Sequence, residues 1–414
     1  MSLRGTFAAL GEPNYRRYFA GQAVSLAGPW MQAVAQSWLV LQLTHSGTWL
    51  GLVAAAQFLP VLLFAPYGGV LADRVDKRRM LMATQAAFGV LAVTLGLLTV
   101  TGTVRLWMVV VLALLFGLTS AADNPARQAF ASEMVPPHQV RNAVTLNSIL
   151  VNSARAVGPA IAGVLIGTVG TGICFLVNAA TYAAVLGALA RMDTSALRPA
   201  PQAARAPGQL REGLRYVRGT PGLLVPLLML LVVGMLAYEF SVVLPVLAHG
   251  TFHGGPGTYA LIVSAMGAGA VAGGLLTANR SATGVAPLSR AALAFGVTIA
   301  LAAAAPTLAL EVAAIAAVGA ASITFLATGN STLQLESDPR FRGRVMALWS
   351  VAFLGSTPLG GPVIGAVADW AGPRAALGVG AAACIAAGLL GMTATRRLPR
   401  RPSPGLAAPA IASR

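Results

Sequence analysis

The sequence predicts an all-α membrane protein with twelve transmembrane helices in two pseudo-symmetric six-helix halves. Of the 414 residues, 56% are hydrophobic and 10% are charged, and the mean hydropathy is +0.73. Such a composition excludes a soluble domain of the ordinary kind. The apolar runs last about 20 residues, which suits a spanning helix and is roughly twice the length of a β-barrel strand. An internal repeat relates the two halves.

Twelve apolar runs follow one another, and each is a predicted span. Spans one to twelve are placed at 18–43, 49–72, 80–101, 106–127, 142–167, 171–190, 222–247, 257–278, 288–305, 308–333, 345–368 and 373–394. The predicted units are an N-terminal half at 1–191, a linker at 192–220, a C-terminal half at 221–396 and a disordered tail at 397–414. The first run lacks a signal-peptide cleavage pattern, so we expect it to remain in the protein.

The basic residues predict the orientation. Of the 28 Lys and Arg residues, Arg105 and Arg374 lie in loops on one side, Arg155 lies within a span, and the other 25 lie on the opposite side. Positively charged loops stay inside, which makes that side the cytoplasm of a bacterial inner membrane and places both termini there. The formal net charge of +16 does not indicate nucleic-acid binding, because the basic residues are spread among short loops.

The linker contains a short predicted amphipathic helix. Leu210, Leu214 and Val217 recur at helical spacing among arginines. We expect this helix to lie on the inner membrane face against anionic lipid, with a regulatory partner site as the alternative.

The repeat has a constant offset of 203 residues. It relates the residues before and within span five to those before and within span eleven: Glu133 to Glu336, Pro136 to Pro339, Arg141 to Arg344, Gly158 to Gly361 and Pro159 to Pro362. A weaker echo of the loop after span two lies at Asn279 and Arg280, where the acidic residue is missing. The two halves therefore share a plan but differ in detail.

The loop between spans two and three is the most densely charged stretch between apolar runs. Asp73 lies at the end of a helix, where its charge opposes the helix dipole, so we expect it to seek a cation or the N-terminus of another helix. The expected acceptor is the N-terminus of span eleven, near residues 344–347, when the cytoplasmic side is closed. Asp73 would then act as a lock between the halves.

This loop has the pattern Gly69-x-x-x-Asp73-Arg74-x-x-Lys77-Arg78, which, together with two six-helix halves and a central loop, resembles the major facilitator superfamily. Further similar segments begin at Asn14, Asp123, Arg155 and Glu212. They are similar to the branch of drug:proton antiporters that includes the enterobactin exporter and macrolide efflux proteins.

The resemblance implies the major facilitator fold, export, and two sets of functional residues. The implied gating motif is Gly69, Asp73, Arg74, Lys77, Arg78 and Asp123, and the implied helix-packing motif is Gly158, Pro159, Gly163, Gly361 and Pro362. Asp123 is expected to pair with Lys77, Arg78 or Arg127. Two departures from the pattern stand out. Asp76 replaces a family glycine, and span four lacks the mid-span basic residue that serves proton relay in a sister branch.

Ionisable residues inside spans are costly and mark functional candidates. Arg155 lies fourteen residues past Arg141, or about 21 Å into a core of roughly 30 Å. It is a candidate for substrate binding or coupling, with a structural Arg paired to neighbouring oxygens as the alternative. Glu239 lies somewhat past the middle of span seven, where a buried carboxylate can take up and release a proton. A fixed ion pair or hydrogen bond is the alternative.

Polar side chains at helical spacing indicate a cavity. On span one, Gln22, Ser25, Gln32 and Gln36 share one face with Pro29, and hydrogen bonding between helices is the alternative. The other cavity-lining candidates are Ser148, Asn152, Asn178, Tyr182, Tyr238 and Asn330.

The sequence contains no pattern of an enzyme or metalloprotein. It has no Walker A motif for ATP, and Cys174 and Cys384 lie in apolar runs without metal-type spacing. We expect His249 and His253 to lie in a loop and to bind no metal.

We therefore predict a proton-coupled exporter of amphipathic or hydrophobic small molecules such as drugs. It would work by alternating access, without a cofactor, as a monomer in contact with membrane lipid. A dedicated siderophore exporter, in which Arg155 binds an anionic catecholate or carboxylate, is one alternative. A non-transporting membrane sensor or lipid-binding protein is another.

Overall fold

The computed structural model describes residues 7–198, 209–278 and 283–397. Among these residues, ten helical stretches are long and apolar enough to cross a membrane. One of them turns back at Gly170, where φ is 87°, and accounts for spans five and six. Span one, divided into two shorter helices, completes the twelve predicted spans and confirms the fold class. The echo at Asn279 and Arg280 and the predicted tail after Arg397 lie outside the described residues.

The helices follow the predicted order with longer ends. The spans are Pro13–Ser25 with Ala27–Thr44, Gly47–Arg74, Lys77–Val100, Leu106–Glu133, Val140–Ala190, Pro221–Ala237 with Phe240–Val246, Pro256–Ala278, Val285–Ala304, Leu308–Glu336, Arg342–Leu354 with Thr357–Ala371, and Pro373–Arg397. Twelve crossings place the described chain ends at one face, which we name the terminus face. The opposite face is the distal face.

Three spans predicted as continuous helices are interrupted. Span one is broken at Leu26, just before Pro29, which has no N–H to donate to the carbonyl of Ser25. Span eleven is broken at Gly355 and Ser356, before Pro358, which likewise cannot bond to the carbonyl of Leu354. Span seven is broken at Tyr238 and Glu239. Two of the candidate residues, Tyr238 and Glu239, thus lie at a helix break.

Span seven ends differently from the prediction. Leu247–Thr251 forms a π-helical turn that includes His249, so the expectation of a loop at His249 is wrong. His253 does lie in the loop, with a positive φ of 50°. Both cysteines, Cys174 and Cys384, are buried as expected.

The amphipathic helix of the linker is present as Gln209–Arg218, and it contacts protein. Tyr216 stacks on Phe341 with ring centroids 4.5 Å apart. Glu212 forms a 2.7 Å ion pair with Arg344. The helix therefore docks on the N-terminus of span eleven, a contact that the sequence analysis did not predict.

The terminus face of the N-terminal half is tied together by its own small core. Tyr15 donates a hydrogen bond to the carbonyl of Ala143 at 2.8 Å, and Asn14 exchanges two hydrogen bonds with the backbone of Asp193. These contacts join the start of span one to span five and to the end of span six. They connect three elements of this half at the terminus face.

Candidate functional site

A cavity of about 420 Å³ lies between the two halves. Its wall is built from spans one, two, four and five of the first half and spans seven, eight and ten of the second. Polar groups on the wall include Gln36, Gln57, Ser241 and Tyr259, and most of the remaining surface is apolar. A pocket of this size, mostly apolar with a few polar groups, suits a drug-sized organic molecule.

Arg155 is the one charged side chain on the described wall of this cavity. Its guanidinium lies 4.8 Å from the centre of the Trp30 ring, a cation–π contact. Tyr238 also lines the cavity, and its hydroxyl donates a 2.6 Å hydrogen bond to the carbonyl of Ser322. The structure thus places two predicted site residues, Arg155 and Tyr238, on the same cavity wall.

Contacts between the halves close the cavity at the distal face. Trp38 of span one stacks on Tyr259 of span eight with centroids 6.3 Å apart, and its ring also meets His249 of span seven edge-on at 6.1 Å. Gly163 of span five packs directly on Ala260 of span eight. These contacts seal the distal end of the cavity with aromatic rings and close backbones.

Span two and the second segment of span eleven form the tightest of these contacts. Gly47 and Gly51 face Gly361 and Gly365, and a Cβ added at any of the four would collide with the opposing backbone. Both pairs have Gly-x-x-x-Gly spacing, which places the two glycines on one helix face and lets backbones approach closely. The predicted packing residue Gly361 thus acts between the halves.

Asp369 of span eleven completes this contact at the N-terminus of span two. Its carboxylate accepts hydrogen bonds from the hydroxyls of Ser46 at 2.6 Å and Thr48 at 2.7 Å. It also accepts from the backbone N–H groups of Gly47 and Thr48. The first N–H groups of a helix have no partner within the helix, so an anion there is favourable.

Glu239 lies behind the cavity wall rather than on it. Its side chain is 3% exposed and fills the space left by Gly360 and Gly361 of span eleven. It has a side-chain hydrogen bond with Thr357, and its Oε1 atom has no hydrogen-bond partner among the described residues. Glu239 and Arg155 are therefore not brought together: one faces span eleven and the other faces the cavity.

The polar stripe of span one divides into two groups. Pro29 and Gln36 line the cavity, and Gln36 donates to Gln57 at 3.3 Å. The other three residues face neighbouring helices. Gln22 accepts from Arg127 at 2.8 Å, Ser25 bonds Thr181 at 3.3 Å, and Gln32 accepts from Asn178 at 2.5 Å. For these three, the alternative of hydrogen bonding between helices describes the structure.

The remaining cavity candidates lie elsewhere. Asn178 is buried against Gln32, and Tyr182 stacks on Phe88 at 5.7 Å. Asn330 accepts from Gln334 at 2.6 Å, and Ser148 bonds the carbonyl of Val144 at 2.9 Å. The side chain of Asn152 lies outside the described part of the structure. Helical spacing identified polar faces, but it did not distinguish a cavity from a helix contact.

The charged turn after span two forms several separate contacts. Asp123 is buried and forms a 2.7 Å ion pair with Arg127, which is one of the three partners expected for it. It also accepts from Thr84 and Gln85. Lys77 instead pairs with Glu133 at 2.7 Å.

Arg78 donates to the carbonyls of Leu189 and Ala190, and Arg74 lies exposed in the last turn of its helix. Asp76 accepts from the backbone N–H of Arg79 at 3.0 Å, so the departure from the family pattern supplies an N-cap for span three. The surroundings of Gly69 and the side chain of Asp73 lie outside the described part of the structure. The proposed lock at Asp73 therefore stays a prediction.

The remaining packing residues support span one and the cavity. Gly158 packs on the backbone of Ala27 and on Trp30, and Pro159 lines the cavity beside Arg155. Pro362 follows Gly361 in span eleven and is half-buried. Close packing at Gly158 thus places Trp30 where it meets Arg155.

Sequence reasoning missed the distal contact altogether. Its signal was present: Gly47-x-x-x-Gly51 in span two, and Gly361-x-x-x-Gly365-x-x-x-Asp369 in span eleven. A search for glycines four apart near helix ends would have found both helices, and in span eleven the pattern ends in a carboxylate. Their pairing with each other follows from the tertiary structure.

Comparisons with known proteins agree with this architecture. Residues 4–407 match the family described as transmembrane secretion effector. The chain is 30% identical to the staphyloferrin A transporter of Staphylococcus aureus over 166 residues, 40% of this chain and 42% of that protein. It is 28% identical to the multidrug efflux pump Tap of Mycobacterium tuberculosis over 365 residues, 85% of this chain and 86% of that protein.

Other similarities are more distant. The chain is 24% identical to macrolide efflux protein A of Streptococcus pyogenes over 260 residues, 62% of this chain and 64% of that protein. It thus spans less than two thirds of the length of this protein and of the staphyloferrin A transporter. Among solved structures, the nucleoside transporter NupG superposes with a TM-score of 0.74 at 12% identity, covering 92% of this chain and 99% of that one.

These relatives are transporters rather than enzymes, and they include drug efflux pumps. The family match covers nearly the whole chain, and the helices, the central cavity and the closure between two halves are those of a carrier. The chain belongs to the transmembrane secretion effector family of major facilitator transporters.

Proposed function

We propose that this protein is a proton-coupled exporter of amphipathic or hydrophobic small molecules that works by alternating access. The observation that carries the proposal is the cavity between the halves, closed at the distal face by contacts that join one half to the other. Alternating access requires a central binding space and a closure that is made between the moving halves. The resemblance to drug efflux pumps supports export as the direction.

The orientation follows from the basic residues. We place the terminus face at the cytoplasm of a bacterial inner membrane, because 25 of the 28 basic residues belong to that side. The distal face is then external, and the closure between spans two and eleven separates the cavity from the outside. We expect the protein to act as a monomer surrounded by lipid, with the proton gradient as its energy source and no cofactor.

Glu239 is the proposed coupling residue. It lies between spans seven and eleven, beside Gly361, which packs against Gly51 of span two. An ionised carboxylate in a membrane interior needs water or a cation beside it. Proton uptake and release by Glu239 are therefore tied to the conformation that lets water reach it. One proton moving inward gives about 2.3 kcal/mol per 100 mV of membrane potential.

Efflux from proteoliposomes, with and without an imposed pH gradient, tests this role. The variant Glu239→Gln is expected to lose proton-driven efflux and its pH dependence while still exchanging substrate for substrate. The matched control is Glu311→Gln, because Glu311 is also a fully buried carboxyl group of the second half, near Arg374. Proton-driven efflux that persists unchanged in Glu239→Gln contradicts the coupling role, and no flux of any substrate contradicts transport itself.

A specific observation favours a second candidate, an exporter of organic anions such as a siderophore. Arg155 is the one charged group on the described cavity wall, and its contact there is the face of Trp30. Arg155 is half-buried and pairs with no carboxylate among the described residues; a cation withdrawn from water without such a partner is costly, and an anionic substrate would relieve that cost. The similarity to the staphyloferrin A transporter points in the same direction.

Binding of matched substrates separates the two candidates. An anionic aromatic carboxylate, its neutral amide and a cationic amine of similar size are titrated against the purified protein. If the anion binds preferentially and Arg155→Gln removes that preference, the protein is an anion exporter. If neutral and cationic compounds bind equally well and Arg155→Gln changes little, broad drug export is favoured. Arg155→Lys is the control, because it keeps the charge and loses the planar group over Trp30.

A further inference from the structure

The distal contact between spans two and eleven joins parts of the protein that must separate during transport. Asp369 belongs to the second half, whereas Ser46, Gly47 and Thr48 belong to the first. When the cavity opens to the distal face, all four hydrogen bonds of this carboxylate to the N-terminus of span two must break. The free energy of these four hydrogen bonds therefore stabilises the distally closed state relative to the distally open one.

The chemistry of this contact is specific. Ser46 is the N-cap residue of span two, and its hydroxyl accepts from the N–H of Trp49 while donating to Asp369. Asp369 in turn accepts hydrogen bonds from the backbone N–H groups of Gly47 and Thr48, the first two residues of the helix. A residue from one half thus completes the helix cap of the other. A carboxylate is preferred over a neutral group here because the helix N-terminus carries partial positive charge.

Geometry on the same helix faces supports the contact. Gly361, Gly365 and Asp369 are spaced four residues apart on span eleven, opposite Gly47 and Gly51. The glycines bring the two backbones together, which places the exposed carboxylate of Asp369 within hydrogen-bonding distance of the helix end. The packing of the glycines and the charge of Asp369 therefore both stabilise the contact between spans two and eleven.

We infer that Asp369 is the latch of the distal gate: it holds the cavity closed at that face by capping the N-terminus of span two across the two halves. This inference rests on the proposed function, because a latch has a role only in a carrier that alternates. It makes Asp369 a positioning residue for transport rather than a substrate-binding one.

The same segment of span eleven also connects the latch to the proposed coupling residue. Thr357–Ala371 has Thr357, the partner of Glu239, in its first turn and Asp369 in its last. A helix of this length transmits a shift at one end to the other. A change in the charge of Glu239 would thus alter the position of the segment that carries the latch.

Distance measurements between spin labels test the latch without any substrate or gradient. The full chain in lipid nanodiscs carries one pair of labels at the distal face, Thr103→Cys with Pro306→Cys. A second pair lies at the terminus face, His138→Cys with Pro339→Cys. All four positions are exposed residues in the connections between spans. The native Cys174 and Cys384 are buried and should remain unlabelled.

Asp369→Asn is expected to increase the distally open population by about two- to fivefold, the effect of one favourable exposed charge at a helix terminus. Asp369→Glu should open the gate less than Asp369→Asn, because it keeps the charge. The control is Asp193→Asn, which removes a carboxylate that caps a local turn at the terminus face and should leave both distances unchanged.

Two results would overturn the latch. One is a distal distance distribution in folded Asp369→Asn that equals that of the wild type. The other, should Asp369→Asn fail to fold, is an unchanged distribution in the double variant Ser46→Ala with Thr48→Ala, which removes two of the four donors. Failure of the proposed coupling can be distinguished from failure of the latch. If only the coupling is wrong, Glu239→Gln keeps its pH-driven efflux, whereas Asp369→Asn still opens the distal gate.

Discussion

The two ends of the helix pair formed by spans two and eleven carry the same local pattern but different contacts. Span two ends with Gly69-x-x-x-Asp73 at the terminus face, and span eleven ends with Gly365-x-x-x-Asp369 at the distal face. The helices run in opposite directions, so each pattern ends at the face where the other helix begins. In the structure, Asp369 is seated on the N-terminus of span two.

At the terminus face, the contacts of the same two helices are different from those at the distal face. There the N-terminus of span eleven contacts the linker helix, through Arg344 with Glu212 and Phe341 with Tyr216. An alternating-access carrier opens one face at a time, so contacts at the two ends are expected to stabilise opposite states. The comparison teaches that a carboxylate at a helix end acts as a state-selecting contact only where the partner half brings a helix N-terminus to it.

The largest effect is expected from blocking the close approach at the distal end. Gly51→Val places a side chain against the backbone of Gly361. Overpacking of this kind costs about 1–3 kcal/mol, a roughly 5- to 150-fold shift toward the distally open state. The distal label pair measures this shift, and efflux should fall with it.

Gly167→Val is the matched control for that experiment. Gly167 is also a glycine in a spanning helix, and a Cβ there would meet nothing within 4 Å. If Gly51→Val leaves the distal distance unchanged, the glycine contact does not determine closure.

The next effect compares the two carboxylates directly. Asp73→Asn is expected to shift the equilibrium away from the state closed at the terminus face, opposite in sign to Asp369→Asn. Each helix-terminus charge contributes about 0.3–2 kcal/mol. The double variant Asp73→Asn with Asp369→Asn should therefore return toward the wild-type ratio of the two states, measured with both label pairs. If both single variants shift the ratio in the same direction, the comparison between the two ends fails.

A smaller effect is expected at the neighbouring carboxylate Asp76. It caps span three within its own half, so Asp76→Ala should lower stability by about 1 kcal/mol and leave the ratio of states unchanged. Thermal unfolding and the two label pairs measure the two quantities separately. A clear shift in the ratio of states would assign Asp76 to the gate rather than to a local cap.

The smallest effect is expected at the linker helix. Glu212 is mostly exposed in its pair with Arg344, and exposed pairs contribute about 0–1 kcal/mol. Glu212→Gln should shift the label distances at the terminus face slightly at low salt and not at high salt. An equal shift at both salt concentrations would mean that packing of Tyr216 on Phe341, rather than charge, holds the linker.

Much of the fold could be predicted from the sequence. Runs of about 20 apolar residues can satisfy their backbone groups only as helices in a membrane, and the twelve predicted spans are present in order. The helix breaks were missed at Leu26 and Gly355, although the prolines that cause them stand in the sequence. In the structure Arg155 and Gln36 lie on the cavity wall, whereas Gln22, Ser25 and Gln32 face neighbouring helices.

The candidate site shows where sequence reasoning stops. A polar side chain on an apolar helix must be satisfied, yet either a cavity or a neighbouring helix satisfies it, and the neighbour is set by packing. Glu239 was identified by its residue type in a span, whereas its position behind the cavity wall depends on the break in span seven and on Gly360 and Gly361.

The sequence by itself determined that this chain has twelve spans with one arginine and one carboxylate deep inside them, because hydropathy and charge are properties of each segment alone. The tertiary structure decided which helix ends meet. The spacing that ends in Asp369 does not specify a partner, because a cap between halves exists only when two helices of different halves pack within hydrogen-bonding distance. That distance is fixed by the glycines of spans two and eleven acting together, and no local pattern specifies it.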